Sequence, residues 1–395
     1  MSFFPLHPAF PDSERDAFAD LFMRYLRHRN EPRELHYDAA HFSLRLGADE
    51  VALEGRYAQF LEADAATHDA MMESLYQSVQ PPADHALEQA LPRLRPVLRS
   101  RARQANQRLM LAAKGVDLGG EALLPYVGDL AWGLVLDAPG GYQVVTQRQL
   151  EHWRLDLPTL LQRSLGNLQP VRVEKLSPGL YQLTSADALV CGHLLHDTWL
   201  ASLGLSGTPV VMAPSRDLLL VADASQPNAL AGLLERAEQP LFNGEFALSA
   251  QCLTPQEEQG WYRVDLPTDM AEYSTWRSQQ LRHLARLYNE QGHWLKQTQP
   301  GDAPYIPELA IARGPGGQLF SYAVVSAAGD LAHWLPRADK VVFMPEGDAK
   351  PLPVAWSDVQ DSLGLAPVLP EEALPRFLIA TFPTEAWLRR HAGSR

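Results

Sequence analysis

Cysteine is almost missing from this chain: Cys191 and Cys252 are the only two among 395 residues. Two cysteines make no disulfide framework, and their wide separation does not match a metal knuckle. Both lie among apolar neighbours, which points to buried free thiols and fits a reducing compartment. Long apolar runs are missing too. No window approaches the roughly 18 uninterrupted apolar residues that crossing a bilayer requires. The start, Met1-Ser-Phe-Phe-Pro-Leu-His-Pro, lacks the basic-then-apolar order of a secretory signal. Basic charge is also short, with 34 Lys and Arg against 47 Asp and Glu, a net charge of −13. Such a surface repels polyanions at long range, so nucleic acid is not the expected partner. These absences describe a cytoplasmic protein that engages no membrane.

Catalytic signatures are absent as well. The nucleophile elbow needs G-x-S-x-G, and Gly204-Leu-Ser-Gly207 is one residue short; it reads as a helix end followed by a loop. No phosphate loop of the form G-x-x-x-x-G-K-[ST] occurs, and Gly314-Pro-Gly-Gly317 lacks the lysine and precedes a strand. Rossmann spacing is missing. His193 and His196 are three apart where a zincin pair is four apart, the intervening residues are leucines, and no third ligand is evident. A helix face explains them better than a metal, and no metal and no cofactor are expected. His36, Tyr37, Asp38 and His41 read as cap and turn chemistry before a strand. The acidic pairs Glu257-Glu258 and Glu371-Glu372 sit in polar loops, where solvation is the default.

What is present is globular. Apolar residues make up 46% and charged residues 21%, enough for a sizeable core. The length suits two or three domains. Residues 1–80 read as an N-terminal α+β unit, 81–118 as a basic Pro/Arg-rich connector, 119–266 as a central α+β domain and 267–395 as a C-terminal α+β domain. The fold class is therefore α+β and multi-domain, with mixed, mostly antiparallel sheets and flanking helices. In the first unit, Phe18, Leu21, Phe22 and Leu26 share one face of a helix over 12–27. Runs at 42–46 and 51–54 make a hairpin, and a second helix covers 57–79. In the middle third, 131–136 and 142–145 are strands about a Pro139-Gly-Gly141 turn. Thr146 and Asp156 can cap helices. A hairpin pairs 171–174 with 180–184, and a helix covers 188–203. Pro227 opens a helix to Ala237 at its first turn. Strands follow at 246–252 and 261–264. A long helix covers 270–297, followed by strands at 308–312, 320–325 and 340–344.

Two stretches carry candidate binding residues. In Val210-Val-Met-Ala-Pro-Ser-Arg-Asp-Leu-Leu-Leu-Val-Ala-Asp223 two apolar runs flank a polar corner that includes Ser215, Arg216 and Asp217. Neither run alternates, which suits strands buried on both faces, and the corner has the chemistry of a tight reversal. An anion pocket or an Arg216–Asp217 contact is the functional alternative there. The second stretch runs from Arg93 to Lys114, with seven basic residues and no acidic one. Arg93, Arg95, Arg99, Arg101 and Arg103 would spread around a helix or an extended arm, and 99, 101 and 103 would line one face of a strand. Their guanidinium forks suit carboxylates or phosphates, whether a ligand's or the chain's own. No aromatic residue lies between them to stack on bases.

Four stretches resemble the YtpQ-like family of uncharacterised bacterial proteins over roughly residues 12–265. They are Val51-Ala-Leu-Glu-Gly-Arg-Tyr-Ala-Gln-Phe-Leu61, Leu91-Pro-Arg-Leu-Arg-Pro-Val-Leu-Arg99, Leu134-Val-Leu-Asp137 through Leu150, and Thr208-Pro-Val-Val-Met-Ala-Pro-Ser-Arg-Asp217. The resemblance implies a cytosolic α+β protein and no particular reaction. Residues 267–395 look like an additional domain that the basic family lacks. The functional expectation is a non-catalytic binding or accessory protein. Its anionic ligand would sit at the Arg93–Arg103 segment, and a protein partner would be met by the C-terminal domain through its Trp, Tyr and Pro content. The alternative is a hydrolase assembled in space around Ser215, Arg216 and Asp217.

Overall fold

The computed structural model describes residues 14–29, 31, 33–47, 49–53, 56–57, 60–61, 68–79, 87–113, 120–138, 141–196, 198–244, 246–256, 260–298, 304–328, 332–347, 350–369 and 374–392. The expected turn at Pro139-Gly140, Pro81 and Pro82 at the start of the expected connector, and both acidic pairs fall outside them. The chain is α+β, with several mostly antiparallel sheets and packed helices. It forms two compact units, each assembled from separated segments. One holds residues 1–96, 114–123 and 133–167; the other holds 97–113, 124–132 and 168–395.

In the first unit, α1 (Glu14–His28) carries acid in its first turn and base in its last, which suits the helix dipole. Phe18, Phe22 and Leu26 recur every fourth residue and are buried. They pack with α2 (His68–Val79) and an antiparallel sheet of β1 (Leu35–Asp38), β2 (Ser43–Leu46) and β3 (Asp49–Ala52). Glu73 ties the helices by accepting from Tyr25 Oη at 2.6 Å and Arg29 Nη2 at 2.9 Å. The hairpin was legible; β1 was not, since its His36, Tyr37 and Asp38 were read as turn chemistry. Only Asp38 does that work, accepting from the amides of Ala40 and His41.

The stretch expected to be a connector contains β4 (Leu94–Ser100) and α3 (Arg101–Ala113). One sheet has the order β4, β6 (Leu130–Ala138), β5 (Leu123–Pro125), with β7 (Gly141–Val144) also on β6. Thr146 caps α4 (Gln147–Trp153) through a reciprocal capping box with Gln149. Asp156 caps α5 (Leu157–Ser164).

The second unit is built on a six-stranded antiparallel sheet. Its order is β13 (Gly260–Val264), β12 (Cys252–Gln256), β10 (Pro209–Ser215), β11 (Leu218–Asp223), β9 (Leu180–Thr184), β8 (Arg172–Ser177). The two unalternating apolar runs are its central strands, buried on both faces. α6 (Ala229–Phe242) covers one face with Leu230, Leu233, Leu234 and Leu241 against Met212, Leu220 and Cys252. Each such side chain contributes roughly 1.5–3 kcal/mol by leaving water.

α7 (Tyr273–Thr298) follows and packs along α3. A mixed sheet has the order β14 (Ala310–Arg313), β15 (Leu319–Ser326), β17 (Lys340–Met344), β18 (Leu352–Ala355); only β15 and β17 run parallel within it. β16 (His333–Pro336) pairs antiparallel with β19 (Arg376–Ile379), and α8 (Trp356–Leu363) and α9 (Glu385–His391) complete this region.

Three sequence expectations are corrected in this unit. The helix over 188–203 is two short 3₁₀ turns, Val190–Leu195 and Leu200–Leu203. The Trp199 indole N–H draws the carbonyls of His193 and His196 out of any longer helix. Pro227 precedes its helix, which starts after Asn228 in a left-handed conformation. Finally, the strand expected over 246–252 begins at Cys252, while the residues before it follow the end of β10 through bonds such as Leu248 N–H to Pro214 O at 2.9 Å.

Candidate functional site

The polar corner is a tight turn. Ser215 pairs with Leu218, leaving Arg216 and Asp217 at its tip. The Ser215 hydroxyl donates to Asp217 Oδ1 at 2.5 Å, and Asp217 is exposed. The Arg216 amide donates to Phe246 O at 3.0 Å. That bond places the Phe246 ring beneath the Arg216 guanidinium, 3.9 Å from Cζ to the ring centroid. The corner faces two cavities. One, of about 430 Å³, takes Ser215 and Asp217 in its wall with Gln182, Thr184 and Arg236. The other, of about 330 Å³, takes Arg216. Neither wall includes His193, His196 or Asp129. Among the described residues, neither cavity wall supplies a histidine base to Ser215.

The second cavity unites the two stretches that stood apart in sequence. Arg99 and Ser100 from the end of β4, and Arg103, Gln104, Asn106 and Gln107 from α3, line it together with Arg216, Phe246 and Glu290. The expected alternation of 99, 101 and 103 along one strand does not occur. β4 ends at Ser100, so Arg101 and Arg103 belong to the first helical turn. Ser100 Oγ accepts from the Arg103 amide at 3.5 Å, and the Arg101 amide goes to Asp129 O at 2.9 Å. The cavity thus meets the positive end of a 13-residue helix.

The five basic-segment residues divide. Arg93 and Arg95 serve the chain itself. Arg93 Nε donates to Asp137 O at 2.7 Å, and Arg95 Nη2 lies 3.6 Å from Asp137 Oδ2. Arg101 acts electrostatically on Asp129. Arg99 and Arg103 line the cavity.

Arg103 is the unusual member. Its Nε and Nη2 are buried and have no hydrogen-bond partner. Desolvation pushes its guanidinium below the ordinary range, Arg286 pushes the same way, and Glu290 opposes them. Glu290 is already engaged, since its Oε2 accepts from Asn106 Nδ2 at 3.3 Å. The same amide donates to Leu287 O at 3.0 Å, which leaves buried Asn106 Oδ1 without a donor. Buried His283 on α7 is pushed down to about 4 by desolvation and then by Arg103 and Arg286. Two buried donors of Arg103 and one buried acceptor of Asn106 thus lack hydrogen-bond partners on the wall of this cavity.

Arg99, Arg103 and Arg216 were legible in the sequence, and their neighbours were not. Asn106 had a faint signal, three residues beyond Arg103 and so on the same helix side. Glu290, 184 residues away from Asn106, had none. His193 Nε2 lies 3.0 Å from Gln169 O, and His196 Nδ1 lies 3.1 Å from Thr198 Oγ1. Among the described residues no cluster of three His, Cys, Asp or Glu is placed to ligate a metal ion. No described helix is long and apolar enough to cross a membrane. Comparison with protein-family models, with curated proteins and with solved structures returns no match.

Proposed function

We propose that the protein is a non-catalytic binding protein of the cytoplasm that holds an anionic ligand in the cavity at the start of α3. The observation that carries the reading is Arg103. A guanidinium that is largely out of water, with two donors lacking acceptors, is costly to keep. An anion in the cavity supplies the missing acceptors after a small rotation of the side chain. Arg99, Arg216 and the helix terminus add attraction from three further directions. The resemblance of four stretches to the YtpQ-like family brings no reaction with it and is compatible with a binding role. A protein partner for residues 267–395 rests on composition alone.

Thermal denaturation at constant ionic strength tests the reading. Sulfate should raise the midpoint relative to chloride, since a ligand at a hundred times its Kd adds about 2.7 kcal/mol to a native state that alone binds it. Arg103→Met should remove that gain. Equal midpoints in sulfate and chloride for the unaltered protein would sink the proposal.

A further inference from the structure

We infer that a second site, in the groove between α6 and α7, takes an aliphatic polyamine. The helical period puts Ala231, Glu235 and Glu238 on one side of α6, and Thr275, Ser278 and Arg282 on one side of α7. Both sides line a cavity of about 810 Å³, to which the β14–β15 hairpin adds Arg313 and Leu319. No residue of this wall belongs to the cavity at the start of α3. Gln279 singles the groove out. It stands in the wall and is only 1% exposed. Its Nε2 donates to Leu234 O at 2.7 Å and to Glu238 Oε2 at 3.0 Å. Both partners are acceptors, so the amide nitrogen is fixed there and the oxygen is the vacant end. That Oε1 is buried and has no donor. A buried acceptor without a donor is costly, and a ligand N–H removes the cost.

The charges of the wall give the ligand class. Three carboxylates, Glu235, Glu238 and Glu272, stand against two guanidinium groups and leave the wall negative. Glu238 is engaged: it accepts from Gln279 and pairs with Arg282, whose Cζ also lies 3.9 Å from the centre of the Phe242 ring. Arg313 is exposed and donates to Gly317 O at 3.1 Å. Glu235 and Glu272 have no side-chain hydrogen bond and no ion pair among the described residues. The described His, Cys, Asp and Glu side chains nowhere converge in threes to ligate an ion, so a compact divalent cation finds no nest here. A quaternary ammonium would need aromatic faces, and the described wall has none. An alkyl chain bearing several protonated amines matches instead. Its charges are spaced for Glu235 and Glu272, its N–H groups can fill Gln279 Oε1, and its methylenes suit Ala231, Leu234 and Leu319. The net charge of −13 draws such a cation in.

Equilibrium dialysis with radiolabelled spermidine, at neutral pH and low ionic strength, tests this, with unlabelled hexamethonium and magnesium as competitors. One spermidine should bind per chain, at least about tenfold more tightly than either competitor. Glu235→Gln and Glu272→Gln should each weaken it about threefold, and the double variant about tenfold. Glu151→Gln, on exposed surface of α4 in the other unit, should leave the affinity unchanged. Glu235 and Glu272 have no partner among the described residues, so the ligand-free variants should keep the thermal midpoint of the unaltered protein, which separates lost binding from lost folding. Magnesium competing as well as spermidine makes a metal ion the occupant and overturns the polyamine. Hexamethonium, which has no N–H, competing as well overturns the role given to Gln279. Equal weakening by Glu151→Gln reduces the binding to diffuse attraction and overturns the site, as does a folded protein that retains no spermidine.

Discussion

Arg376 offers the sharpest stability prediction. It is fully buried, yet among the described residues no carboxylate pairs with it. Its guanidinium donates instead to four neutral oxygens: Gln291 Oε1 at 2.7 Å, Tyr288 O at 2.7 Å, Trp334 O at 3.0 Å and Pro307 O at 3.2 Å. Those acceptors come from α7, β16 and the segment before β14, so one side chain joins three parts of its unit. Desolvation pushes its pKa down to about 10, which still leaves it charged at neutral pH. Arg376→Met keeps most of the volume and strands four acceptors. Each buried unpaired group costs about 1–3 kcal/mol, and relief from burying a charge returns part of that. The net expectation is a loss of about 3–5 kcal/mol. Arg376→Lys should recover little, because an ammonium cannot span four acceptors in the guanidinium plane. The chain has two units, so one urea midpoint is ambiguous. Native-state hydrogen exchange at the amides of β16 and β19 reads the affected region directly. A change below about 1 kcal/mol in either variant would refute the idea that this cation organises the region.

Two further outcomes follow from other buried groups. Burial pushes the Asp129 carboxyl up to about 6, although the Ser249 hydroxyl donates to it at 2.6 Å. The folded state therefore holds that proton more tightly than the unfolded chain does. The stability this provides is full below about pH 4 and is lost as pH rises through 6. Asp129→Asn keeps the acceptor for Ser249 and should raise stability at pH 7.5 by about 1–2 kcal/mol, measured by urea titration; a loss there would contradict the assignment. Cys191 and Cys252 are buried, and burial raises both thiols, Cys252 to about 12. Neither should react with a thiol reagent until the protein unfolds, and rapid native-state labelling would contradict that burial.

The polar corner shows how much was legible. Unalternating Val, Met and Leu runs suit strands buried on both faces, and the two runs occupy the centre of the six-stranded sheet. The caps at Thr146 and Asp156 were equally plain, because a cap is local chemistry. Arg99, Arg101 and Arg103 were harder. Their alternation imitates a strand, and nothing between Leu98 and Ala102 announces the change of period except Ser100, a residue able to cap. The helix expected over 188–203 failed for a tertiary reason, the capture of two carbonyls by one indole. The cavity itself was legible only in halves. Arg216 and Arg103 were each singled out, but their convergence depends on how α3 packs along α7 and on the strand-like segment at Phe246, and neither leaves a local trace.

In the proposed function, an anion is the missing partner of Arg103. The most direct measurement is anomalous diffraction from crystals soaked in tungstate, a tetrahedral oxyanion. A peak should stand in the cavity at the start of α3, within hydrogen-bond reach of the Arg103 guanidinium. A cavity left empty at saturating tungstate, or one filled while Arg103 stays disengaged, would contradict it.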